Sequence, residues 1–411
     1  MPDDAALPFG LQLTQLDPEY HVKREERLTA LREKCPVHRD PMFGAFFVSR
    51  YEDARGVLTD RTMWRTAARA EPDAAILTLR EQNEPQVLRQ EGGIRNIIFM
   101  ENPDHARVRP PLQKALYARV AKCKGDVEAI VARILDKFDT SKPVDLMEEL
   151  CMPVPVLVIA RLLGIDESRF HKFREWSEGL ILSLNAMRSP EQTEQYVKGA
   201  LALREFFEVE VAKRRATKHD DLINDIIEAQ DHGTQLSDLE IRDNLIGFLV
   251  AGNLTTTDLI GNGIYLFLKH PEQLAKLKAD PKLMGPAIEE VLRYEPPVDI
   301  TVRVASRDME LQGCPMKPHQ AIVTSLPASN RDPRAFADPD AFDITREAKP
   351  HVSFGGGAHI CIGAPLARLE AQIVFQMLFE RFPNMRLVDE AVTWKPTVFF
   401  HGLQRLRVQL H

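Results

Sequence analysis

The sequence predicts a mainly α-helical fold with a small β part. Over most of the 411 residues, apolar side chains recur every three to four positions, which is the period of an amphipathic helix. Stretches typical of strands are confined to Ala45–Ser49, Ile300–Ser325 and Val392–Val408. The chain contains no internal repeat, low-complexity tract or long Gly/Ser linker that would mark a domain boundary.

A long helix is predicted to begin at Ser237 and to stop before Pro271. Ser237 and Glu240 have the spacing of a capping box, in which each side chain bonds the other residue's backbone N–H. The centre of this helix, residues 247–257, is rich in glycine and threonine, which are poor helix formers. Close packing against a neighbour and a functional requirement both explain such a composition, and the pattern alone leaves the two open.

One cysteine lies in an unusual segment at residues 354–363, Phe-Gly-Gly-Gly-Ala-His-Ile-Cys-Ile-Gly. The glycines allow backbone conformations that other residues rarely adopt and let the main chain approach a flat ligand. Apolar residues at helical spacing follow Cys361, so the sulfur precedes a helix N-terminus, which favours a thiolate. A cysteine outside such a frame is more often a small buried hydrophobic residue. The segment therefore indicates a metal-binding thiolate at Cys361.

Composition narrows the class of protein. The net charge of −7 argues against a nucleic-acid partner, and no apolar run approaches the roughly 20 residues of a membrane-spanning helix. The five cysteines form no C-x-x-C pair and the acidic N-terminus has no hydrophobic signal segment, so we expect a soluble cytoplasmic protein. Residues 105–124 form an exception, with six Lys and Arg and no acidic residue. Such a basic stripe either steers an acidic partner or is simply a solvated helix face.

The cysteine segment resembles the signature of the cytochrome P450 family. In that family Phe-Gly-x-Gly-x-His-x-Cys-x-Gly surrounds the cysteine that binds the haem iron, and all six fixed residues are present here: Phe354, Gly355, Gly357, His359, Cys361 and Gly363. The resemblance implies a haem-thiolate monooxygenase of the soluble bacterial type, built as a single haem domain over residues 1–411. Haem b is the implied cofactor, Cys361 its iron ligand, and Phe354, His359 and Gly363 are further cofactor-binding residues.

The same resemblance places the long helix on the oxygen-binding side of the haem and the helix after Cys361 beside the thiolate ligand. Ala251 and Gly252 match small residues that leave room for bound oxygen. Thr255 takes the position of a threonine that helps deliver protons. These three residues are the predicted catalytic group of the distal helix.

Leu254 departs from the family pattern, because Asp or Glu is usual at this position and leucine cannot exchange a proton. Asp258, one turn further, and Asn253 are alternative members of a proton route, although a solvated or locally hydrogen-bonded Asp258 is the simpler explanation. A peroxide-driven peroxygenase is a second hypothesis, since peroxide brings its own electrons and protons. A non-catalytic haem sensor or electron carrier is a third hypothesis, from a different class.

Charged residues at family positions are expected to hold the two haem propionates, because buried carboxylates need cationic or strong donor partners. The matching positions are His105, Arg109, Arg303 and His359. Glu290 and Arg293 match a buried structural ion pair of the family, whereas their spacing alone favours a solvated pair. Arg346, in a turn-rich segment, is a candidate third member of that pair.

The predicted substrate pocket is mostly apolar, which favours a small hydrophobic substrate that is hydroxylated or dealkylated. By family position its residues are Ile97, Ile98, Phe248, Ala251, Val298, Ile300, Val398 and Phe399. Electrons are expected from a ferredoxin and its ferredoxin reductase, with the ferredoxin docking near the basic stripe. The protein is expected to be a monomer with no nucleic-acid or membrane partner.

Overall fold

The computed structural model describes residues 7–90, 95–185, 188–231, 236–389 and 391–411. These residues form two units, each assembled from three pieces of chain. Unit 1 comprises Met1–Gln82, Asn262–Cys361 and Thr393–Gln404, and unit 2 comprises Asn83–Gly261, Ile362–Val392 and Arg405–His411. The organisation of residues 1–411 as a single domain stays a prediction.

Helices make up most of the regular structure, as the sequence predicted. In chain order the described helices are α1 (Tyr20–Lys34), α2 (Tyr51–Thr59), α3 (Ala75–Gln82), α4 (Gln86–Gln90), α5 (Asp104–Val120), α6 (Lys124–Leu135), α7 (Pro153–Leu162), α8 (Phe170–Ile181), α9 (Pro190–Ala216), α10 (Leu222–Asp231), α11 (Asp238–Lys269), α12 (Pro271–Ala279), α13 (Met284–Tyr294), α14 (Leu326–Asn330) and α15 (Ala364–Arg381).

Strands are short and form small sheets. The described strands are β1 (Val37–Asp40), β2 (Ala45–Val48), β3 (Val144–Asp145), β4 (Ile300–Val304), β5 (Met309–Leu311), β6 (Cys314–Met316), β7 (Ala321–Ser325), β8 (Arg386–Leu387), β9 (Thr393–Trp394), β10 (Leu403–Arg405) and β11 (Arg407–Gln409). The three predicted strand regions are confirmed. The sequence missed β1, β3 and β8, which have two to four residues each. β1 pairs with β2, which follows it directly, whereas β3 and β8 both pair with β11.

The sheet of unit 1 has the order β1-β2-β7-β4, with β2 and β7 parallel and the other pairs antiparallel. Successive strand residues point to opposite faces, and both faces of this sheet are covered by apolar side chains. Phe47 and Val323 belong to one apolar cluster, and Phe46 and Ile322 belong to another. β2 is therefore apolar throughout and β7 is apolar over residues 321–323, instead of alternating with polar residues.

In unit 2, α8 and α9 approach each other closely at two glycines. A Cβ atom at Gly179 would lie 2.7 Å from the backbone oxygen of Gln195, and one at Gly199 would lie 2.8 Å from that of Trp176. Beside this crossing, Phe173 packs edge-on against Phe206. Larger residues at the two glycine positions would push the helices apart.

Helix α11 begins and ends as predicted. The Ser237 N–H donates to Glu240 Oε2 at 2.7 Å, and the Glu240 N–H donates to Ser237 Oγ at 3.3 Å, which is the predicted capping box. The helix has 32 residues and ends at Lys269, before Pro271. No helix in the described part of the chain is both long enough and apolar enough to span a membrane.

Candidate active site

Cys361 ends a closed loop. Its N–H donates to the Phe354 carbonyl at 2.9 Å, and a single 3₁₀ turn, Gly357–His359, lies within the loop. The Cys361 side chain is exposed, and α15 begins at Ala364 just after it. An accessible sulfur close to a helix N-terminus is the environment in which a thiolate ligand is stable.

The glycines of this loop have two different roles. Gly355 and Gly357 have φ angles of 73° and 62°, in the left-handed region that favours glycine. A Cβ atom on Gly357 would also lie 2.9 Å from the Leu58 carbonyl oxygen and 3.0 Å from the Cα of Thr59, at the end of α2. From the sequence, the approach of a flat ligand was the expected reason for these glycines. At Gly357, the close backbone of α2 is already a sufficient reason for glycine.

Glu290 and Arg293 on α13 form a buried, two-point ion pair. Arg293 Nε and Nη2 donate to the two Glu290 oxygens at 2.7 and 2.8 Å, and both side chains are at most 3% exposed. Arg293 Nη1 also donates to the carbonyls of Asn330 and Pro339. The pair therefore has the burial that the family resemblance implied, and it is not the solvated pair that spacing alone favoured.

The irregular segment 331–346 is fastened to this pair. Arg346 Nε lies 3.2 Å from both Glu290 oxygens, and the Asp343 N–H donates to Glu290 Oε1 at 2.9 Å. Downstream, Ser353 Oγ donates to the Leu292 carbonyl at 2.7 Å. Helix α13 is thus linked both to the segment before the cysteine loop and to the beginning of the loop itself.

Two guanidinium groups converge on β4 in unit 1. Arg303 Nη1 donates to the Val302 carbonyl at 3.0 Å, and Arg65 Nη1 donates to the same oxygen at the same distance. Arg65 also donates to Thr301 Oγ1 at 2.5 Å. Arg303 was predicted as a propionate partner. Arg65 was missed, because nothing in its local sequence indicates that it reaches β4.

His105 and Arg109 lie one turn apart on α5 in unit 2. His105 is buried, and both its burial and the charge of Arg109 lower the pKa of His105 below its ordinary value. An imidazole of this kind is neutral at pH 7 and still donates one hydrogen bond. Arg109 Nε donates to Gln113 at 3.2 Å.

The middle of α11 has open space beside it in unit 2. The Thr255 hydroxyl donates to the Ala251 carbonyl at 2.9 Å, so its oxygen lone pairs remain as acceptors. Ala251 is exposed. A Cβ atom on Gly252 would meet no atom within 4 Å. Ala251 and Gly252 therefore border free volume and do not serve close packing.

Asp258 and Asn253 are the two candidates to replace the acidic residue that is usual at position 254, and they lie on different faces of α11. A rotation of about 100° per residue places Asp258 on the same helix face as Leu254 and Thr255, and Asn253 on the opposite face. Asp258 is only 1% exposed, so the solvated alternative for Asp258 was wrong. Asn253 is 4% exposed and lies on the helix face opposite Thr255, so Asp258 is the better placed of the two, and a proton route through either stays a prediction.

Segment 95–98 is docked on α11 by its backbone. The Arg95 N–H donates to Asp243 Oδ2 at 2.7 Å, and the Ile97 N–H donates to Asn244 Oδ1 at 3.0 Å. Asn96 Nδ2 donates to the Asp243 carbonyl at 3.0 Å and lies where a Cβ atom of Gly247 would be, at 1.8 Å. These polar contacts, unexpected from the sequence, fix Ile97 beside α11.

The predicted pocket residues occur in both units. Ile97, Ile98, Phe248 and Ala251 belong to unit 2, where Ile97 and Phe248 are buried. In unit 1, Ile300, the first residue of β4, is 3% exposed and belongs to the same apolar cluster as Phe47 and Val323. Val398 and Phe399 pack on the same cluster and Val298 on another, all three being half-buried. Assignment of these eight residues to a pocket stays a prediction.

The basic stripe at residues 105–124 is smaller than the sequence suggested. Asp104 and Glu240 bind Arg107, and Asp220 and Asp225 bind Arg119 at 2.6 Å each. These carboxylates come from other parts of the chain or from just outside the stripe, which explains why composition of the stripe overestimated its charge. Lysines at 114, 122 and 124 are exposed.

Comparison with known proteins decides the family. A sequence profile described as Cytochrome P450 matches residues 180–389. The chain is 35% identical over 404 residues to Cytochrome P450 107B1 of Saccharopolyspora erythraea, with 97% of each chain covered. The chain belongs to the cytochrome P450 family. It is also 33% identical over 397 residues to the 6-deoxyerythronolide B hydroxylase of the same organism, covering 95% of this chain and 97% of the hydroxylase.

A solved cytochrome P450 confirms the predicted fold class. The structure of P450BioI in complex with an acyl carrier protein ligated to hexadec-9Z-enoic acid matches with a TM-score of 0.83 at 30% identity. The match covers 95% of this chain and 99% of that one. The mainly α cytochrome P450 fold with a small β part is therefore correct.

Membership of the family establishes the class of reaction. This cytochrome P450 is a haem b-dependent monooxygenase that acts on hydrophobic substrates and needs a redox partner. The non-catalytic sensor or electron carrier is thereby set aside. The residues of the chain suit the cofactor, because an exposed cysteine sulfur suits the iron and clustered cations at Arg65 and Arg303 suit the propionates.

Proposed function

We propose that Cys361 is the iron ligand and that the haem propionates are held by Arg303, His359, His105 and Arg109, with Arg65 as a further partner. The observation that carries this proposal is the exposed sulfur of Cys361 in a loop closed by the Phe354–Cys361 hydrogen bond, just before α15. Phe354 and Gly363 frame the ligand at the two ends of the segment. When bound, haem with a thiolate ligand supplies the cleavage of dioxygen and the oxidation of substrate.

The absorption spectrum of the reduced, carbon-monoxide-bound protein tests the ligand. We expect the red-shifted band of thiolate ligation in the parent protein and its loss in Cys361→Ala. Cys123→Ala is the matched control, because this second cysteine is buried and its replacement leaves the band in place. A thiolate-type band that persists in Cys361→Ala would overturn the assignment.

Thr255, Ala251 and Gly252 are proposed to form the distal side of the reaction centre. The Thr255 hydroxyl is held by its donation to the Ala251 carbonyl and keeps lone pairs that would accept a hydrogen bond from a water molecule. Thr255→Ser keeps the hydroxyl and serves as the control for Thr255→Val. We expect Thr255→Val, but not Thr255→Ser, to divert reducing equivalents from product to peroxide.

A peroxide-driven reaction is a second proposed activity, and Leu254 is the observation that favours it. With dioxygen, two protons must reach the reaction centre, and a leucine offers no route. Hydrogen peroxide needs no such delivery. Product formation with peroxide alone, at a rate comparable to that with reductase, ferredoxin and NAD(P)H, would establish this activity, and its absence would rule it out.

We propose that a ferredoxin docks at the exposed lysines of α5 and the following turn, since an acidic redox protein suits a small basic surface. Lys114 and Lys122 are exposed, and Tyr117, 36% exposed, supplies apolar contact area. The double variant Lys114→Glu/Lys122→Glu should raise the KM for a [2Fe–2S] ferredoxin about tenfold while peroxide-driven turnover is unchanged. Lys172→Glu, at an exposed lysine on α8, is the control for a charge reversal elsewhere on the surface.

The substrate is proposed to be a hydrophobic organic molecule, as the sequence predicted, and the relatives widen the candidates to a macrolactone and a long-chain fatty acid. Seven of the eight predicted pocket residues have large apolar side chains, and the relatives named above include a 6-deoxyerythronolide B hydroxylase and a protein complexed with a hexadecenoyl acyl carrier. Titration of the protein with 6-deoxyerythronolide B and with hexadec-9Z-enoic acid tests this. The readout is the change in the absorption spectrum that occurs when a ligand displaces water from the iron. No spectral change with either compound would contradict it.

The monomeric state and the cytoplasmic location of the protein stay predictions.

A further inference from the structure

Two cysteines that are far apart in the sequence share one hydrogen-bond acceptor. Cys35 Sγ lies 3.5 Å from the Val37 carbonyl oxygen, and Cys314 Sγ lies 3.3 Å from the same oxygen. The two sulfur atoms are therefore neighbours, separated by at most the sum of these two contact distances. Both side chains are half-buried, so small solutes reach them, whereas Cys123 and Cys151 are buried.

The two cysteines lie at the ends of separate elements of unit 1. Cys35 caps the C-terminus of α1, where its N–H donates to the Leu31 carbonyl at 2.9 Å. Cys314 is the first residue of β6 and pairs with Leu311 across the β5–β6 hairpin. The hairpin turns at Gln312 and Gly313, both with positive φ.

Arg50 holds these two elements together. Its Nε donates to the Arg32 carbonyl in the last turn of α1 at 3.1 Å, and its Nη1 donates to Gln312 Oε1 in the hairpin turn at 3.2 Å. The Gln312 side chain also donates to Asp53 at 3.0 Å. The approach of the two sulfur atoms is therefore supported by contacts that do not involve sulfur.

We propose that Cys35 and Cys314 are a modification site that hydrogen peroxide converts to an intramolecular disulfide. The thiolate of one cysteine attacks a peroxide oxygen and forms a sulfenic acid, with release of one water after protonation. The second thiol attacks the sulfenic sulfur, the S–S bond forms, and a second water leaves. The pair loses two protons and two electrons, and the peroxide is reduced to two water molecules.

Two features bear on the chemistry of this pair. Burial and the neighbouring Cys314 raise the pKa of Cys35, so oxidation should accelerate as the pH rises toward the pKa of the thiol. Among the described residues, no group of three or more His, Cys, Asp or Glu side chains is arranged to hold a metal ion. A conventional metal site therefore does not compete for these thiols.

Peptide mapping of the holoenzyme tests the proposal. The protein is treated with hydrogen peroxide, quenched with catalase, denatured in iodoacetamide and digested with trypsin without reduction. We expect peptide 35–39 joined to peptide 308–331, lighter by two hydrogen atoms than the two separate thiol peptides. Cys35→Ser and Cys314→Ser should each abolish the joined peptide, and Cys123→Ser should leave it unchanged.

Arg50→Gln tests whether the elements are pre-positioned. This variant removes the charged Arg50 side chain that links α1 to the β5–β6 hairpin, and it leaves both thiols in place. We expect the joined peptide to form at least several-fold more slowly. The oxidised parent should also unfold at a higher temperature than the reduced parent, because a cross-link over a long stretch of chain constrains the unfolded state, and Cys35→Ser should show no such difference. Sulfinic acid at either cysteine, or dimers linked between chains, in place of the joined peptide would overturn the proposal.

Discussion

The proposed use of peroxide depends on single side chains of α11. Thr255 has its proton committed to Ala251, Leu254 is inert, and Asp258 lies on the same helix face but is buried. The residue types were readable in the sequence. The burial of Asp258 was not, because it depends on the neighbours that other parts of the chain bring to the helix.

An acidic residue at position 254 should increase the coupling of NAD(P)H consumption to product formation with dioxygen. Leu254→Asp places an exchangeable proton beside Thr255, and we expect the fraction of NAD(P)H consumed that appears as product to rise several-fold. This is less than the roughly 10²–10⁴-fold typical of acid–base effects on rates, because the fraction cannot exceed one. Leu254→Asn, which is polar but not acidic, is the control. Peroxide-driven turnover should not improve in either variant. Equal coupling in Leu254→Asp and the parent would mean that protons arrive by another route.

Glu370 on α15 should make the protein less stable in alkali. Glu370 is 1% exposed, its Oε2 has no hydrogen-bond partner among the described residues, and burial raises its pKa well above the ordinary value. The folded state therefore keeps a proton that the unfolded chain releases above about pH 4.3, and stability falls as the pH rises from there. Glu370→Gln should unfold at higher urea than the parent at pH 8, with a smaller difference at pH 4.5. Glu380→Gln, exposed on the same helix, is the control.

Elements were predictable where their signals are local. The capping box at Ser237 and Glu240 marked the start of α11, and the glycine-rich segment marked the loop before α15. The contacts of segment 95–98 with Asp243 and Asn244 were not predictable, because they join residues almost 150 positions apart and involve common polar side chains. Such contacts carry no periodic pattern in the sequence.

Gly247 should be needed for the docking of segment 95–98 on α11. A methyl group there would displace the Asn96 amide and break its bonds to Asp243 and Ile98. We expect Gly247→Ala to lower the free energy of unfolding by about 1–3 kcal/mol, the cost of leaving buried polar groups without partners. Gly56→Ala in α2, where an added Cβ meets nothing within 4 Å, should raise it by about 0.5–1 kcal/mol. Urea denaturation measures both, and equal effects would contradict the role of Gly247.

The buried ion pair of α13 should tolerate no conservative change. Lysine cannot reproduce the two-point contact of Arg293 with Glu290 or its bonds to backbone carbonyls. We expect Arg293→Lys to cost about 3–5 kcal/mol of stability, as breaking a buried pair usually does, and to reduce haem incorporation. Arg174→Lys is the control, because its pair with Glu178 is partly exposed and should change stability by less than about 0.5 kcal/mol.

Across the whole molecule, buried charge makes stability depend on pH. In unit 1 the His21 ring stacks on Trp394 at 4.8 Å, Trp394 stacks on His401 at 4.1 Å, and His401 Nε2 lies 2.6 Å from Glu295. Burial, and secondarily His401, lower the pKa of His21 to about 3. Charges from Arg24 and His401 outweigh burial and lower the pKa of Glu295 far below its ordinary value.

Acid should therefore destabilise the protein from about pH 6.5 downward. Between about pH 6.5 and pH 3 the unfolded chain binds a proton at His21 that the folded protein rejects, so stability falls as the pH is lowered through this range. Below about pH 4.3, protonation of Glu295 in the unfolded chain adds to the loss. His21→Phe keeps the ring stacked and should make the decline between pH 6.5 and pH 4.5 shallower. His171→Phe, at an exposed position, should leave the slope unchanged.

The division of the chain into two units restricts how its relatives can be recombined with it. The backbone passes between the units after Gln82, Gly261, Cys361, Val392 and Gln404, so one passage lies inside α11 and another follows the proposed iron ligand directly. A hybrid gene made with a single junction always divides at least one unit between two parents. Exchanging a complete unit takes five junctions, one of them in the middle of a helix.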